Sequence, residues 1–572
     1  MNFQSRIIKL FIVLFGVLIV VAAIVGGVLY AIYSKDGDKI GIGAIASNGV
    51  ECAEMGRKMF ERGGNVADVA VTTILCEGIS SPQSCGIGGG FIAVIYLKSQ
   101  GIIQTINARE RAPRNSTVDM FVAEPKESTH GGKAVAVPGD LKGMWELHQK
   151  YGSMKWKEVL EPVIDMCKNG HTVGPFLEEM LTAYEDELLA EPSLREIFMN
   201  PATNRTWKLN DKMKRPKLAE TLEIIANEGI DAMYGGGEIG KKFVADVQKY
   251  GGIMIEKDLK DYRVEWSDPV STTIINNSTV YTSPLPSSGS MLILMLNILR
   301  NDKLEPNLVS YQRMIESMKL SFAHRTMIGA EANEEVLAIV KNMVSKSYGD
   351  ALRRFVNDNK TSTDVNYYGA KHADIDDRGT AHLSILAPNG DAIAVTNTIN
   401  DIFGAMWRSQ STGIIPNDEM DDFSVPGKAN ADGVLPSPKN FAIPGNNPIS
   451  SMTPTIVLDR NGDVRLLIGA AGGRRIITST FYTLYRNIFF NETLEDAMAA
   501  PRIHHQLTPM ELVYSSHFDA DIIKSLNETM GHKVRATPRI ANVVGVSVEN
   551  GNVKASYDPF RGGSTVIFEG KY

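Results

Sequence analysis

The stretch Asp376-Asp377-Arg378-Gly379-Thr380-Ala381-His382-Leu383-Ser384 decides the fold, because an acidic loop gives way there to β-strand character at Thr380. The small Gly379 leaves its carbonyl group accessible to the Thr380 hydroxyl. Such a junction can cleave itself, since attack of the hydroxyl on that carbonyl gives an ester that water hydrolyses. The released α-amino group titrates near roughly 7.7–8.0 and can act as general base for the same hydroxyl. An ordinary buried strand start is the alternative that this pattern alone leaves open.

The same stretch has a second interpretation, as a metal site built from His372, Asp374, Asp376 and His382. The spacing of these four residues matches no standard metal cage. We therefore expect no metal ion at this stretch.

Downstream of Thr380 the sequence predicts three antiparallel hairpins and two helices. The Asn-Gly pair is the strongest short signal for a hairpin turn. The predicted turns are Asn389-Gly390, Asn461-Gly462 and Asn550-Gly551, and the predicted helices lie near Ile476–Tyr485 and Ala520–Met530.

Upstream of Thr380, residues 139–350 have mostly helical periodicity, and residues 357–378 are predicted to form an exposed polar loop. A glycine-dense turn, Gly86–Gly90, precedes a predicted hairpin formed by Phe91–Lys98 and Ile102–Arg109. This turn is not a dinucleotide-binding fingerprint, because it leads into a strand rather than a helix. Helices and antiparallel strands that cover one another predict a layered α/β architecture.

Two antiparallel helices are predicted between Ser47-Asn48, which would cap the first, and about Glu77, where the second would end. Asn65 is the predicted cap of the second helix. This arrangement places Cys52 near Cys76, so a disulfide is plausible in an oxidising compartment. Two buried free thiols are the alternative. Neither Cys85 nor Cys167 has an evident partner.

The N-terminal residues and the composition bear on the compartment. The chain of 572 residues has a net charge of −7 and a pI near 5.9, which argues against a basic nucleic-acid binder. Leu10–Tyr33 is an almost unbroken apolar run, long enough for the ~20 residues of a membrane span. Arg6 and Lys9 precede it, so residues 1–9 are predicted to be cytoplasmic, 10–33 to span a membrane, and the remainder to be lumenal or extracellular. A cleaved signal peptide is the alternative.

Seven N-glycosylation sequons lie on the predicted extracellular side. Their asparagines are Asn115, Asn204, Asn276, Asn277, Asn359, Asn491 and Asn527. Their distribution agrees with this topology without establishing that any of them carries a glycan.

The chain resembles the γ-glutamyltransferases, also called γ-glutamyl transpeptidases or glutathione hydrolases. The segments that carry the resemblance are Gly86–Gly90, Asn107–Glu110, Arg378–Ser384, Thr396–Asn400, Asn417–Phe423, Pro448–Pro454 and Gly469–Gly473. It extends over nearly the whole chain from about Gly41, in the order of the family. The apolar N-terminal run, the helical pair with Cys52 and Cys76, and the sequons resemble the animal membrane-bound members.

The resemblance implies a four-layer αββα sandwich of the N-terminal-nucleophile hydrolase type. It implies that self-cleavage yields a large subunit, residues 40–379, and a small catalytic subunit, residues 380–572, which remain interleaved as a heterodimer. The implied donors are glutathione and other γ-glutamyl compounds. The implied acceptors are water, amino acids and dipeptides, and no cofactor is required.

The resemblance also implies a role for each site residue. Thr380 would be nucleophile and N-terminal base, with Thr398 beside its amine. The N–H groups of Gly472 and Gly473 would form the oxyanion hole, where losing one donor costs about 3–4 kcal/mol. The substrate ligands would be Arg109, Ser450 and Ser451 for the α-carboxylate, and Glu419, Asp422 and Asn400 for the α-ammonium group.

One departure from the family concerns Ile402, where vertebrate members carry an aromatic residue that helps to wall the active site. Because Ile402 cannot donate a hydrogen bond, acceptor preference and the balance of transpeptidation against hydrolysis stay open. Two other hypotheses also stay open. One is an anchored glycoprotein that keeps the fold without activity, and the other is an amidase of the same nucleophile class with another acyl specificity.

Overall fold

The computed structural model describes residues 16, 21, 39–302, 305–329, 333–372, 379–427 and 435–572. Nearly all of the predicted membrane span, residues 10–33, lies outside these ranges, as do residues 373–378 of the cleavage junction. Among the residues that the structure describes, no helix combines the length and the apolar character needed to cross a bilayer.

The first sheet contains the predicted cleavage junction. In the described ranges it has seven strands, all antiparallel, and the chain's first and last strands lie next to each other. The spatial order is Ser564–Lys571, Ile40–Ser47, Ala381–Leu386, Ala392–Thr398, Gly90–Leu97, Ile102–Ala108 and Glu265–Ser267. The predicted hairpins at Asn389-Gly390 and around Gly101 are confirmed. The strands Ser564–Lys571 and Ile40–Ser47 at one edge and Glu265–Ser267 at the other edge were not predicted.

The second sheet has six antiparallel strands in the described part of the chain. Their spatial order is Asn552–Tyr557, Asn542–Glu549, Val464–Ala471, Thr455–Leu458, Thr279–Thr282 and Val270–Thr273. The hairpins at Asn461-Gly462 and Asn550-Gly551 are confirmed. The two strands between Val270 and Thr282 interrupt a region of mainly helical periodicity, because their Val-Ser-Thr-Thr and Thr-Val-Tyr-Thr runs are rich in β-branched residues.

The two sheets pack face to face through a layer that is apolar over much of its area and contains the His382 ring near the catalytic end. Ala44, Ala46 and Ala394 of the first sheet meet Leu467 and Val544 of the second, and all five are fully buried. Small side chains on the first sheet allow the second to approach closely. A separate apolar cluster covers the outer face of each sheet with helices. The layers are therefore helix, sheet, sheet and helix, as the resemblance implied.

The helices divide according to the sheet or segment that they cover. The first sheet is covered by Cys52–Glu61, Val66–Ser80, Asp140–Tyr151, Trp156–Asn169, Pro216–Glu228, Asp231–Tyr234, Glu238–Lys249 and Glu256–Asp261. The second is covered by Gly289–Ile298, Leu308–Arg325, Glu334–Met343, Lys346–Arg353, Arg475–Phe489, Leu494–Ala499 and Ala520–Glu528. The helices Pro175–Ala183, Glu185–Ala190 and Pro192–Phe198 pack around Phe403. Short strands complete the fold at His171–Thr172, Met199–Asn200, Arg205–Thr206, Lys212–Met213, Ile503–His504, Leu512–Ser515 and Val534–Thr537.

The first helical pair confirms one predicted cap and corrects the other. Asn65 caps the second helix by accepting hydrogen bonds from the Ala67 and Asp68 N–H groups. The predicted cap at Ser47-Asn48 is wrong, because Ser47 ends a strand and the helix begins only at Cys52. The Ser47 hydroxyl and the Asn48 N–H instead donate to the buried carboxyl of Glu77.

Of the two alternatives for Cys52 and Cys76, the structure has the disulfide. Cys52 and Cys76 form a disulfide with their Cα atoms 5.5 Å apart, and the alternative of two free thiols is excluded. Cys85 and Cys167 are buried free thiols.

Candidate active site

The predicted site residues gather at one end of the sandwich because the three Asn-Gly hairpins turn at the other. A hairpin places the start of its first strand beside the end of its second. Thr380 precedes Ala381–Leu386, and Thr398 ends the strand that returns, opposite Gly90. In the second sheet, Gly472 directly follows Val464–Ala471, which returns from the Asn461-Gly462 turn.

The junction of Gly379 and Thr380 is a crowded stretch of backbone. Thr380 has φ +108°, a conformation that a β-branched residue adopts only under strain, and its side chain is buried. A Cβ atom at position 379 would lie 1.6 Å from the carbonyl oxygen of Asn400, so only glycine fits. The Thr380 Oγ1 lies 3.3 Å from the Thr398 Oγ1. The structure thus holds a strained peptide bond beside a pair of hydroxyl groups.

Thr398 is itself oriented by the backbone. Its Oγ1 accepts a hydrogen bond of 2.9 Å from the N–H of Asn400. A hydroxyl has one hydrogen to donate, so Thr398 can direct that hydrogen toward Thr380. Asn400 has φ +72°, and its amide nitrogen donates to the Asp418 carbonyl over 3.2 Å. The Asn400 amide oxygen remains as the acceptor that a substrate ammonium group requires.

A buried cluster of charged groups surrounds Arg109, which follows the strand Ile102–Ala108. Its guanidinium forms ion pairs with Asp422 and, over 2.5 Å, with Glu419. A third carboxyl, that of Glu110, lies 3.7 Å away. Burial raises the pKa of Glu419 well above its usual range although Arg109 opposes the shift, and burial raises the pKa of Glu110 to about 7. Three carboxyl groups around one guanidinium can accept one more cation.

The two serines of the predicted carboxylate site follow Pro448, whose carbonyl oxygen lies 3.5 Å from the Nε of Arg109. The Ser450 hydroxyl accepts from the Met452 N–H over 3.2 Å, and the Ser451 hydroxyl accepts from Arg325 over 3.3 Å. Both serines are buried. The segment that carries the two serines thus contacts Arg109 through Pro448, while the hydroxyl of Ser451 is bound by a different arginine, Arg325.

The glycine pair links the strand Val464–Ala471 to the helix Arg475–Phe489. Gly472 has φ +125° and Gly473 has φ +62°, values that favour glycine. Gly469 allows this strand to pass close to the strand that follows Thr380, because a Cβ atom on Gly469 would lie 2.2 Å from the His382 ring. His382 lies two residues after Thr380, so the glycine turn extends toward the same end of the sandwich.

A buried arginine that the sequence analysis did not predict, Arg561, binds the backbone of Thr380. Arg561 donates to the Thr380 carbonyl over 2.8 Å and to the Ser84 hydroxyl over 2.6 Å. The loop that carries Arg561 is fixed by the buried ion pair of Arg502 with Asp558. Arg502 also donates to the carbonyl of Ala541, the residue that lies against Gly472. No local pattern marks these residues, because their partners lie far away along the chain.

A second missed element is the carboxyl of Glu77, which is fully buried under the first sheet. Besides Ser47 and Asn48, it faces the amide nitrogen of Asn397 at 3.0 Å, and that nitrogen also lies 3.1 Å from the Ala381 carbonyl. Burial raises the pKa of Glu77 to about 7. Glu77 thereby supports the strand that begins at the nucleophile.

The metal interpretation finds no support in the described residues. His382 is buried with its ring nitrogens 2.8 Å from the Thr396 Oγ1 and 3.1 Å from the Ser384 Oγ, so both are already occupied. Burial lowers the pKa of His382 to about 3. Asp374 and Asp376 lie outside the described residues, within which no cluster of three metal-ligating side chains occurs.

The departure at Ile402 keeps its bulk in the structure. Ile402 is half-buried and packs with Phe403, Val173 and Ile415. The neighbouring Phe403 is fully buried and contacts the ring of Phe198. The side chain at position 402 is therefore an aliphatic member of an apolar cluster.

The chain is similar to known proteins both in sequence and in fold. The family model described as gamma-glutamyltranspeptidase matches residues 52–568. Scoloptoxin SSD14 of Scolopendra dehaani is 39% identical over 531 residues, which cover 91% of each chain. Glutathione hydrolase 2 of Arabidopsis thaliana is 37% identical over 490 residues, which cover 83% of this chain and 84% of the relative. The crystal structure of cephalosporin acylase from Bacillus halodurans shares the fold with a TM-score of 0.78 at 21% identity, covering 93% of this chain and 96% of the acylase.

Proposed function

The chain belongs to the γ-glutamyltranspeptidase family, and from that premise we propose that it cleaves itself at Gly379–Thr380 and then transfers γ-glutamyl groups from Thr380. It is an enzyme of the glutathione hydrolase and transferase type. The specific proposal rests on one observation: two groups of side chains lie at the same end of the sandwich. One is the strained Thr380 with its Thr398 partner, and the other is the buried Arg109 with its carboxylates.

Self-cleavage begins with attack of the Thr380 Oγ on the Gly379 carbonyl carbon. The C–O bond forms, the Gly379–Thr380 C–N bond breaks, and the proton of the hydroxyl moves to the nitrogen that becomes the free α-amine. Water then hydrolyses the ester and leaves Gly379 with a carboxylate. The positive φ of Thr380 favours this step, because breaking the peptide bond releases strain. Arg561 and Thr398 hold the carbonyl and hydroxyl of Thr380 while the backbone changes.

Substrate recognition follows from the charges around Arg109. A γ-glutamyl donor presents an α-carboxylate and an α-ammonium group on one carbon atom. The carboxylate would pair with Arg109 and the two serine hydroxyls, and the ammonium group would take over Glu419 and Asp422 from Arg109. A zwitterion would supply an ammonium group to Glu419 and Asp422 and a carboxylate to Arg109 in place of the two existing ion pairs, while a plain acyl group would supply neither.

Acyl transfer uses the same nucleophile. The free α-amine of Thr380 would accept the hydroxyl proton as the Oγ attacks the γ-carbonyl carbon of the donor. The backbone N–H groups of Gly472 and Gly473 would stabilise the oxyanion, and the proton passes to the departing amine. Water or the amine of an amino acid or dipeptide then attacks the γ-glutamyl ester and restores the Thr380 hydroxyl. The aliphatic side chain of Ile402 offers no hydrogen bond to an acceptor, which favours water over bulky polar acceptors.

The test of this function uses two anilides with the purified full-length protein. We expect turnover of a γ-glutamyl anilide and none of a matched butyryl anilide that lacks the α-amino and α-carboxyl groups. N-terminal sequencing of the smaller fragment should find Thr380 first. Equal turnover of the two anilides would contradict the γ-glutamyl assignment, and an internal Thr380 in fully active protein would contradict the mechanism.

For location, we propose that residues 10–33 anchor the chain in the plasma membrane as a single-pass type II protein, with the large and small subunits together outside the cell. The disulfide of Cys52 with Cys76 supports an oxidising compartment. All seven sequon asparagines are exposed, as glycan acceptors must be. Protease treatment of intact cells should remove both subunits; protection of both would contradict this topology.

A further inference from the structure

The end of the sandwich opposite to Thr380 carries an exposed surface, here called the terminal face. It is formed by Ile40, Ile42, Pro388, Asn389 and Tyr572. Ile40 is 66% exposed, Ile42 44% and Tyr572 55%. Large apolar side chains seldom stand in water together without a partner. The exposure of these side chains together indicates that another surface covers them.

The terminal face is a built surface rather than a frayed end. The Tyr572 N–H donates to the Lys39 carbonyl over 3.0 Å, so the last residue is tied to the start of the first strand. A Cβ atom on Gly41 would lie 2.0 Å from the Pro388 carbonyl oxygen, which shows how closely the turn packs on that strand. The face therefore keeps a fixed orientation relative to the sheets.

The short segment between the predicted anchor and the terminal face limits the distance between this face and the membrane. The anchor ends at Tyr33, and only Ser34 to Asp38 separate it from Lys39. A fully extended chain spans at most ~3.6 Å per residue, so these residues bridge roughly 20 Å. The terminal face must then lie next to the bilayer surface.

Its chemistry suits the headgroup layer. Tyrosine and lysine side chains are enriched at the membrane–water interface, and the face has Tyr572 next to Lys571. The neighbouring charges are of both signs, since Lys98 pairs with Asp463 and Asp391 accepts the Lys98 N–H. A mixed surface of this kind does not depend on anionic lipid.

We propose that the terminal face rests on a zwitterionic phosphatidylcholine headgroup layer, with Thr380 opening away from the membrane. This rests on the membrane location proposed above. The strand Ile40–Ser47 runs from the face toward the site, and seven steps of about 3.3 Å place Ser47 roughly 23 Å farther out. The Asn48 N–H donates to the His382 carbonyl, so the nucleophile's strand starts at that far end. Donors and acceptors dissolved outside the cell thus reach the site without crossing the headgroups.

The test uses the full-length chain in nanodiscs of phosphatidylcholine, with an environment-sensitive fluorophore on one introduced cysteine. The variants Asn389→Cys and Lys571→Cys report on the terminal face. The control, His517→Cys, lies at the catalytic end, because its ring contacts Phe560 beside Arg561. Cys85 and Cys167 are buried and should resist labelling.

A nitroxide on the lipid headgroup should remove at least half of the emission from positions 389 and 571 and leave position 517 nearly unchanged. Quenching in discs of phosphatidylcholine alone shows that anionic lipid is not needed, whereas quenching only after phosphatidylserine is added would overturn the zwitterionic assignment. Chain that enters the discs while all three positions stay bright would overturn the terminal face and leave the anchor intact. Chain that never enters the discs would overturn both, and turnover of the γ-glutamyl anilide in each sample reports separately on the proposed enzyme function.

Discussion

The two ends of the central strands differ in how the chain builds them. At the turn end, three hairpins are closed by Asn-Gly pairs and by hydrogen bonds between near neighbours, as in Gly462 N–H to the Asp459 carbonyl. At the catalytic end, Thr380 is held by Thr398 and by Arg561, which lies 181 residues away. The conformation of each turn is therefore set locally, although contacts such as Lys98 with Asp463 also join the turns to one another, whereas the position of Thr380 depends on residues that are distant along the chain. Substitutions at the two ends should differ accordingly.

The largest effect is expected from Thr380→Ala, which removes the hydroxyl needed for both self-cleavage and acyl transfer. We expect a single uncleaved chain without γ-glutamyl anilide turnover, measured on a reducing denaturing gel and by a colour assay. Thr380→Ser keeps the hydroxyl and should still be cleaved. Normal cleavage of the alanine variant would show that Thr380 is not the nucleophile of self-cleavage.

Arg109→Ala should separate substrate binding from self-cleavage. Truncating one partner of a buried ion pair typically costs about 3–5 kcal/mol, so we expect KM for the γ-glutamyl anilide to rise by roughly 10²–10⁴-fold. Cleavage at Thr380 should proceed. The control is Arg111→Ala, whose partially exposed guanidinium pairs with the exposed Glu265 and should matter little. An unchanged KM for Arg109→Ala would take Arg109 out of the site.

Glu77→Gln should change how stability depends on pH. The folded-state pKa of Glu77, about 7, lies above its ordinary value of 4.5, so the folded chain binds the proton more tightly than the unfolded chain. This contribution to stability is fully present below pH 4.5, falls as pH rises toward about 7, and stays lost above it. The difference in unfolding free energy between wild type and variant should shift by up to about 3 kcal/mol over that window. Parallel curves in denaturant titrations at several pH values would refute the shift.

Thr398→Val keeps the shape of a strand residue and removes one hydroxyl. The Thr380 hydroxyl then loses its partner, at a cost of about 1–2 kcal/mol, so self-cleavage and kcat should each slow by roughly tenfold. Thr398→Ser should restore most of the rate, as a time course of cleavage would show. Equal rates in the valine variant would indicate that Thr398 only fills space.

The smallest effect is expected at the turn end. Gly462 has φ +81°, so Gly462→Ala should lower the unfolding free energy by about 1 kcal/mol through backbone strain. Self-cleavage and anilide turnover should be unchanged, in contrast to the variants at the catalytic end. A loss of activity in this variant would mean that the two ends are coupled and would undo the comparison.

Prediction from the sequence succeeded where the information is local. The three Asn-Gly turns, the Asn65 cap and the hairpin around Gly101 follow from short-range rules of backbone conformation, and the structure has them all. The predicted cap at Ser47-Asn48 failed for a related reason. A serine followed by asparagine satisfies the rule for a cap, but the Ser47 hydroxyl finds a partner 30 residues away in Glu77.

The hairpins and their Asn-Gly turns follow from the sequence alone. Through family resemblance, the sequence also indicates the types of residue expected at the site. The tertiary structure alone decided that Arg109 is fully enclosed with Glu419 and Asp422, and that Arg561 reaches the Thr380 carbonyl. The physical reason is range. Turn and cap preferences act over a few residues, whereas burial and charge pairing depend on which distant segments the packed sheets bring together.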